Sequence, residues 1–353
     1  MRCPTLAELP PPPPGKTGWP WTEESPPLPA TLPDGRPWPR VSIVTPSYNQ
    51  AQFLEETIRS VLLQGYPDLE YIICDGGSTD GSVEIIRTYE PWLAWWCSER
   101  DAGQADAINK GWARATGEVL AWLNSDDVYL PGALACVIRR WQECPSADVL
   151  CGDAFEFEEP WGIIGHLRPR RVRLVDLLRW CDISQPSTFF RKSAVQAVGP
   201  LDTVLHYAMD YDFFVRLAAA GFAFEYVPAV LSLMRYHASS KTMSNSPKMG
   251  QQWLHVRERA LATHPELASL KNHILAYGYL GLAYTYRGAL DPASMRRALA
   301  QAVRLDPKVM LSKRFLALLP AVLLVGRMAA TARRLDRFVK STAFRLRRLS
   351  RRL

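Results

Sequence analysis

Three short polar clusters in this chain hold residue types that bind ions and phosphates: Pro46-Ser47-Tyr48-Asn49, the acidic loop 75–80, and Asn124-Ser125-Asp126-Asp127. Acids gathered at neighbouring positions repel one another unless a cation lies between them, and Asp126 and Asp127 offer the oxygen ligands that Mg²⁺ or Mn²⁺ prefers. Such ions complete their shells with water and phosphate oxygens, so the pattern points to metal-assisted handling of a phosphorylated substrate. A plainer role is also open, since an isolated Asp-Asp can cap the helix expected near Pro131. Asp210, at the start of the helix expected over 211–220, could cap it. His237, followed by Ser239, Ser240 and Lys241, reads by itself as a structural histidine, with the nearby Arg and Lys able to serve phosphate alone.

Those clusters need rigid elements to hold them. From Val41, short apolar runs alternate with helical periods: strand 41–45 then helix 53–63, 71–74 then 82–89, 93–97 then 105–115, and 119–123 then 132–141. Four strand-and-helix units in succession predict an α/β fold with a mostly parallel central sheet. Ligands of such sheets bind beyond the carboxyl ends of the strands. The three clusters follow the first, second and fourth strands, so all fall on one edge. After Val149, strand-like pieces (155–157, 187–190, 224–227, 231–235) mix with helices at 174–180 and 210–220, and this half should complete the site. Beyond about Gly250 only helix is expected: the stretch 277–284 with Ala298, Ala302, Leu305 and Pro307 suggests a tetratricopeptide-like hairpin within 250–326. Residues 1–40 carry 13 of the 28 prolines and read as an extended lead-in.

Apolar residues at 48% and charged residues at 22% exclude a disordered or fibrous chain. The longest apolar run, residues 315–326, falls short of the roughly twenty needed to span a bilayer. The start, Met1-Arg2-Cys3-Pro4, lacks the features of a secretory signal, so a cytoplasmic location is expected. Seven scattered cysteines without a C-x-x-C suggest neither disulfides nor zinc. The net charge of +7 belongs to the tail: residues 327–353 hold ten Lys or Arg against one Asp, leaving −2 for the rest. A nearly neutral body does not read as a nucleic-acid binder. In the tail, Leu335, Phe338, Val339, Thr342, Leu346, Leu349 and Leu353 recur at helical spacing, which suits a basic amphipathic helix on the anionic inner face of a membrane. A solvated or partner-binding tail would look the same.

Thr45-Pro46-Ser47-Tyr48-Asn49, residues 75–82, residues 101–111 and residues 124–127 occur in this order and at these spacings. Together they closely resemble the family-two glycosyltransferases over roughly residues 40–240. The resemblance implies a GT-A type nucleotide-binding fold over 41–245. On it, Pro46 and Asn49 shape the first nucleotide loop, Asp75 contacts base or ribose, and Asp80 belongs to the same loop. Asp106, Asn109 and Lys110 would lie along the nucleotide sugar, although an ordinary amphipathic helix also accounts for that stretch. Where many relatives have Asp-x-Asp, this chain has Asn124-Ser125-Asp126, so one carboxylate is replaced by an amide. The metal ligands are then expected to be Asp126 and its neighbour Asp127, with His237. Asp210 matches the family's catalytic base, with Met209 where Glu is common. Gln185, Ser187 and Thr188 match the loop facing the acceptor, while Phe189 and Phe190 could be ordinary core.

The resemblance implies inverting transfer of a sugar from a UDP-, GDP- or dTDP-sugar to a hydroxyl of a glycan or lipid-linked acceptor, assisted by Mn²⁺ or Mg²⁺. A non-catalytic nucleotide-sugar-binding or partner-recruiting module is the rival favoured by Asn124 and Met209. A nucleotidyltransferase would also use acids and a metal.

Overall fold

The computed structural model describes residues 1–169, 172–244 and 246–320. The tail 327–353 lies outside them. The first half is a parallel sheet of β1 (Val41–Ser47), β2 (Leu69–Asp75), β3 (Trp95–Ser98) and β4 (Val119–Trp122). Between and after these strands come α1 (Ala51–Leu62), α2 (Ser82–Tyr89), α3 (Gln104–Arg114) and α4 (Ala133–Glu143). Every residue of β1 is buried, as expected of a strand covered on both faces. Ile43 and Val44 point to opposite sides, the first into an apolar layer with Leu54, Ile58 and Leu134, the second into one with Ile108, Trp112 and Phe213. A Cβ on Gly111 would lie 2.5 Å from a methyl of Val44, so only glycine lets α3 sit this close to β1.

The second half adds β5 (Val128–Tyr129), β6 (Val149–Glu158), β7 (Gly162–Leu167), β8 (Thr188–Arg191) and β9 (Phe224–Tyr236), with α5 (Leu174–Arg179), α6 (Lys192–Val198) and α7 (Met209–Ala219). The nine strands run β3-β2-β1-β4-β8-β6-β9-β5, with β7 paired to β6. The parallel order of the first half gives way here to antiparallel β4–β8, β8–β6, β6–β7 and β9–β5 pairings around a parallel β6–β9 pair. The two strand pieces expected at 224–227 and 231–235 are one strand. Pro228 has no N–H for a ladder, and the β6–β9 register steps from Gly152 opposite Val227 to Asp153 opposite Val230, leaving the proline in an irregularity.

Residues 1–40 contain one short 3₁₀ turn (Leu6–Glu8) and no long element, yet they are packed down. Cys3, Leu9, Leu32 and Trp38 join the first core layer. Arg59, buried at 0% exposure on α1, donates to the carbonyls of Pro10, Pro20 and Trp21 and to the Tyr89 hydroxyl, at 2.9–3.1 Å. The expected lead-in is therefore a strap over α1.

The C-terminal region comprises α8 (Lys241–Ser244), α9 (Ser246–Thr263), α10 (Lys271–Gly288), α11 (Pro292–Leu305) and α12 (Lys313–Leu316). α10 and α11 form a helical hairpin around Leu280, Ala283, Ala298 and Ala302. A Cβ on Gly278 would meet Leu254 at 2.8 Å, which is how α10 approaches α9. α9 itself places Val256 and Ala260 in the second core layer, so the helices are built onto the sheet domain through it. Among the described residues, no helix is long and apolar enough to cross a membrane.

Candidate active site

Parallel pairing brings the ends of β1 and β2 level, with Ser47 opposite Asp75, and sets Asp75 opposite Ser98 of β3. The loops beyond these ends are tied together by side chains. Asp75 is fully buried: its Oδ2 accepts from the N–H groups of Gly77 (3.0 Å) and Ser78 (2.8 Å) and from the Ser98 hydroxyl (2.7 Å), and its Oδ1 from the Ser78 hydroxyl (2.5 Å). Asn49 takes a left-handed φ of 51° and holds it by donating its N–H to Ser78 Oγ and accepting the Thr79 N–H on Oδ1. Asp80 accepts from Ala51 N–H, the first residue of α1, and from the N–H and hydroxyl of Ser82, the first residue of α2. It caps two helices at once. Burial raises its pKa, but these hydrogen bonds outweigh that and hold it below the usual value. Pro46 is buried within β1 beside them, and Tyr48 is 63% exposed.

On α3, Asp106 accepts the Ala102 N–H at 3.1 Å. Lys110 pairs with Glu99 at 2.7 Å. Asn109 spends both amide ends on the backbone of Leu201, at 2.9 Å each. These contacts hold α3 to its surroundings.

A different chemistry lies past β4. Asp126 Oδ2 and His237 Nε2 stand 2.9 Å apart, with the imidazole Nδ1 on Ser239 Oγ and its ring against Phe53. Both side chains keep some surface, 19% for Asp126 and 13% for His237. One carboxylate oxygen and one imidazole nitrogen form a donor pair that Mn²⁺ or Mg²⁺ accepts when phosphate oxygens and water supply the rest. Among the described residues no group of three or more His, Cys, Asp or Glu could cage a metal without substrate. The expectation for Asp127 is not met. Its side chain is 2% exposed, accepts the Arg235 N–H (3.0 Å) and the Asn124 amide (3.1 Å), and faces inward. Burial first, and the Asp126 charge second, push its pKa well up.

Arg235, the arginine near His237 that the sequence offered to phosphate, is turned toward Asp126 and Asp127 instead. It is 8% exposed and clasps the cluster, donating from Nε to the Asp126 carbonyl, pairing with Glu56 at 3.0 Å, and lying over Phe53. Asn124 explains its own departure from the acidic pattern. Its Oδ1 accepts from Gln104 (2.6 Å) while its Nδ2 donates to Asp127 and to Gln185 Oε1 (3.2 Å). A carboxylate could not donate to either acceptor.

Gln104 carries the network onward, accepting from Lys241 Nζ at 2.8 Å. Lys241 also donates to the His206 carbonyl at 3.3 Å. Desolvation lowers the pKa of this ammonium, and the charges of Asp210, Asp101 and Asp126 offset that only in part. Asp101 in turn crowds the acidic loop: a Cβ on Gly76 would lie 2.8 Å from its Oδ2. Asp210 is partly buried at the start of α7, its Oδ1 accepting the Tyr211 N–H at 2.7 Å, and burial raises its pKa. Asp212 points the other way, to Arg216 and Arg259.

The acceptor-loop residues divide. Gln185 is 8% exposed and joins the Asn124 network, donating to the Trp122 carbonyl at 2.7 Å. Ser187 and Thr188 are sealed at 0% exposure. The Ser187 hydroxyl bonds the Asp153 carbonyl and Ser232, and that of Thr188 the Ser184 carbonyl, so neither is available to an acceptor. Phe189 and Phe190 are core.

Comparison with known proteins identifies the family and the fold. Residues 42–199 match the model of glycosyl transferase family 2. An uncharacterised glycosyltransferase of Mycobacterium tuberculosis is 32% identical over 191 residues, covering 51% of this chain and 69% of that protein. One of Rickettsia typhi is 28% identical over 220 residues, covering 58% and 66%. Two solved structures share the fold at low identity. TarS of S. aureus with UDP-GlcNAc has a TM-score of 0.57 and 16% identity, covering 87% of this chain and 92% of that one. The mannosyltransferase PcManGT of Pyrobaculum calidifontis with GDP-Man and Mn²⁺ has a TM-score of 0.55 and 20% identity, covering 87% of each. By the family model and the Mycobacterium relative, the chain belongs to glycosyl transferase family 2, and it is a glycosyltransferase of GT-A fold.

Proposed function

We propose that the protein transfers a sugar, with inversion, from a nucleoside-diphosphate sugar to a hydroxyl of a glycan or lipid-linked acceptor. The observation that carries this reading is the Asp126–His237 pair, 2.9 Å apart past β4, on the same sheet edge as the loop that Asn49, Asp75 and Asp80 hold together. That two neighbours in fold were solved with GDP-Man and with UDP-GlcNAc supports the donor class. Pro46, Asn49, Asp75 and Asp80 shape the loop that receives the nucleotide, and Tyr48 offers an open face for stacking on a base. Asp106, Asn109 and Lys110 fix α3 along the donor, with Asn124 and Gln104 at its end.

Asp126 and His237 would hold the divalent ion, which when bound neutralises charge growing on the diphosphate. The acceptor oxygen attacks the anomeric carbon on the side opposite the diphosphate. Asp210 takes the hydroxyl proton, and the carbon–oxygen bond to phosphate breaks with its electron pair leaving on the diphosphate. A carboxyl whose pKa burial has raised is a stronger base than an exposed one. Lys241, held by Gln104 and the His206 carbonyl, is exposed and could turn its ammonium to phosphate oxygens. Gln185 remains the acceptor-side contact.

Turnover of labelled donor tests this. Asp126→Ala is expected to abolish the Mn²⁺-dependent part of nucleotide binding, and Asp210→Asn to stop transfer while nucleotide still binds. Turnover unaffected by both would remove the assignment. The tail 327–353 is proposed to rest on anionic membrane from the cytoplasmic side. Its deletion should lower binding to anionic vesicles in a sedimentation assay, and unchanged binding would defeat that role.

A further inference from the structure

A cleft of about 740 Å³ opens beside Tyr207, three residues ahead of Asp210, between the 202–207 loop and α9. The α9 wall presents Lys248, Gln251, Gln252, His255 and Arg259, a spacing that puts them on one helical face. Gln252 ties the two walls by accepting the Tyr207 N–H at 2.8 Å.

The charges do not cancel. Arg259 binds Asp202 at 3.1 Å and also Asp212, and Asp212 takes Arg216 as well, so two arginines answer two aspartates. Lys248 is exposed and has no carboxylate partner among the described residues. The rings of His206 and His255 are likewise exposed, with no hydrogen-bond partner among the described residues. The cleft thus offers an ammonium and two imidazoles from two walls, while its one carboxylate, Asp202, is already engaged. A neutral sugar carries no charge to answer the unpaired Lys248 ammonium. An oxyanion with several spread acceptor oxygens would satisfy both walls.

We propose that this cleft seats a phosphate ester carried by the acceptor, adjacent to the hydroxyl that Asp210 deprotonates. The proposal rests on the reading of Asp210 as the acceptor-side base and adds the chemical class of the acceptor. The phosphate could belong to a soluble polyol phosphate or to a lipid headgroup.

The test is calorimetric binding of glycerol 3-phosphate to the full chain, with glycerol as the neutral control. The expected result is binding of the phosphate alone, weakened about tenfold, or ~1.4 kcal/mol, in the Lys248→Ala/His255→Ala double variant. Lys248→Arg, which keeps the charge, should restore most of it in the His255 background. Equal binding by wild type and double variant, or none by wild type, would overturn the proposal. Mn²⁺-dependent UDP and GDP binding is measured on the same proteins. Its absence from wild type would count against the donor reading, whereas the phosphate result reads the cleft separately. Phosphatidylglycerol vesicles distinguish the two sources. Because the basic tail is common to both proteins, weaker vesicle binding by the double variant assigns a lipid phosphate, and a loss confined to glycerol 3-phosphate assigns a soluble one.

Discussion

The two sides of the sheet edge are built on opposite principles. Around the loops after β1 and β2, each acid is met by donors from its own chain: Asp75 by four hydrogen bonds, Asp80 by two helix starts. Past β4 and at the head of α7, the acids are met less fully: Asp126 has His237 on one carboxylate oxygen, Asp210 has one backbone N–H, and burial pushes Asp210 up. A saturated acid shapes backbone and is stable in isolation. An unsaturated one is held ready for a ligand and weighs against the fold until the ligand comes.

Asp210→Asn should separate the two kinds most sharply. Loss of the base is expected to lower kcat by about 10²- to 10⁴-fold in the labelled-donor assay. Stability should move the other way. Because the native pKa of Asp210 is raised, its favourable contribution is complete below the unfolded value of about 4 and is lost as pH rises through the native value. At pH 7 the ionised carboxylate therefore opposes folding, and the amide should raise Tm by about 2 °C in a thermal melt. The same raised pKa predicts that transfer falls on the acid side at a pH above the ordinary carboxylate range. A loss of Tm would show that Asp210 belongs with the saturated acids.

Asp75→Ala tests the other side. Removing a buried acceptor from four donors should cost about 2–4 kcal/mol, read by denaturant unfolding. A neutral result would mean that the loop is held elsewhere. The smallest effect is expected at Asn124→Asp, which sets a second carboxylate at the position now 3.1 Å from Asp127 Oδ2. About 1 kcal/mol of stability should be lost, and Asp126→Ala in the same background should not restore it.

The sequence made the strand-end loops legible because each cluster sits a fixed distance past an apolar run, and the parallel order of β1, β2 and β4 follows from the same alternation. Motif order singled out Asp126, His237 and Asp210, and the fold sets the first two 2.9 Å apart. Gln104 was not singled out, and Arg235 and Lys241 were read only as basic residues for phosphate, since the partners of all three lie 20, 109 and 137 residues away and no local spacing encodes them. Asp127, Ser187 and Thr188 were misassigned for one reason. A polar side chain reads the same whether it faces a ligand or a buried carbonyl, and only the folded neighbours decide. The pieces expected at 224–227 and 231–235 are one strand because a register irregularity absorbs the residues between them.

The guanidinium beneath the strap has a practical consequence. Anyone trimming the proline-rich forty residues as a dispensable leader would strand Arg59 in an apolar hollow with three of its four acceptors gone, leaving only the Tyr89 hydroxyl. The excised enzyme would then clump or be degraded before any assay, and its inactivity would be misread as a missing substrate.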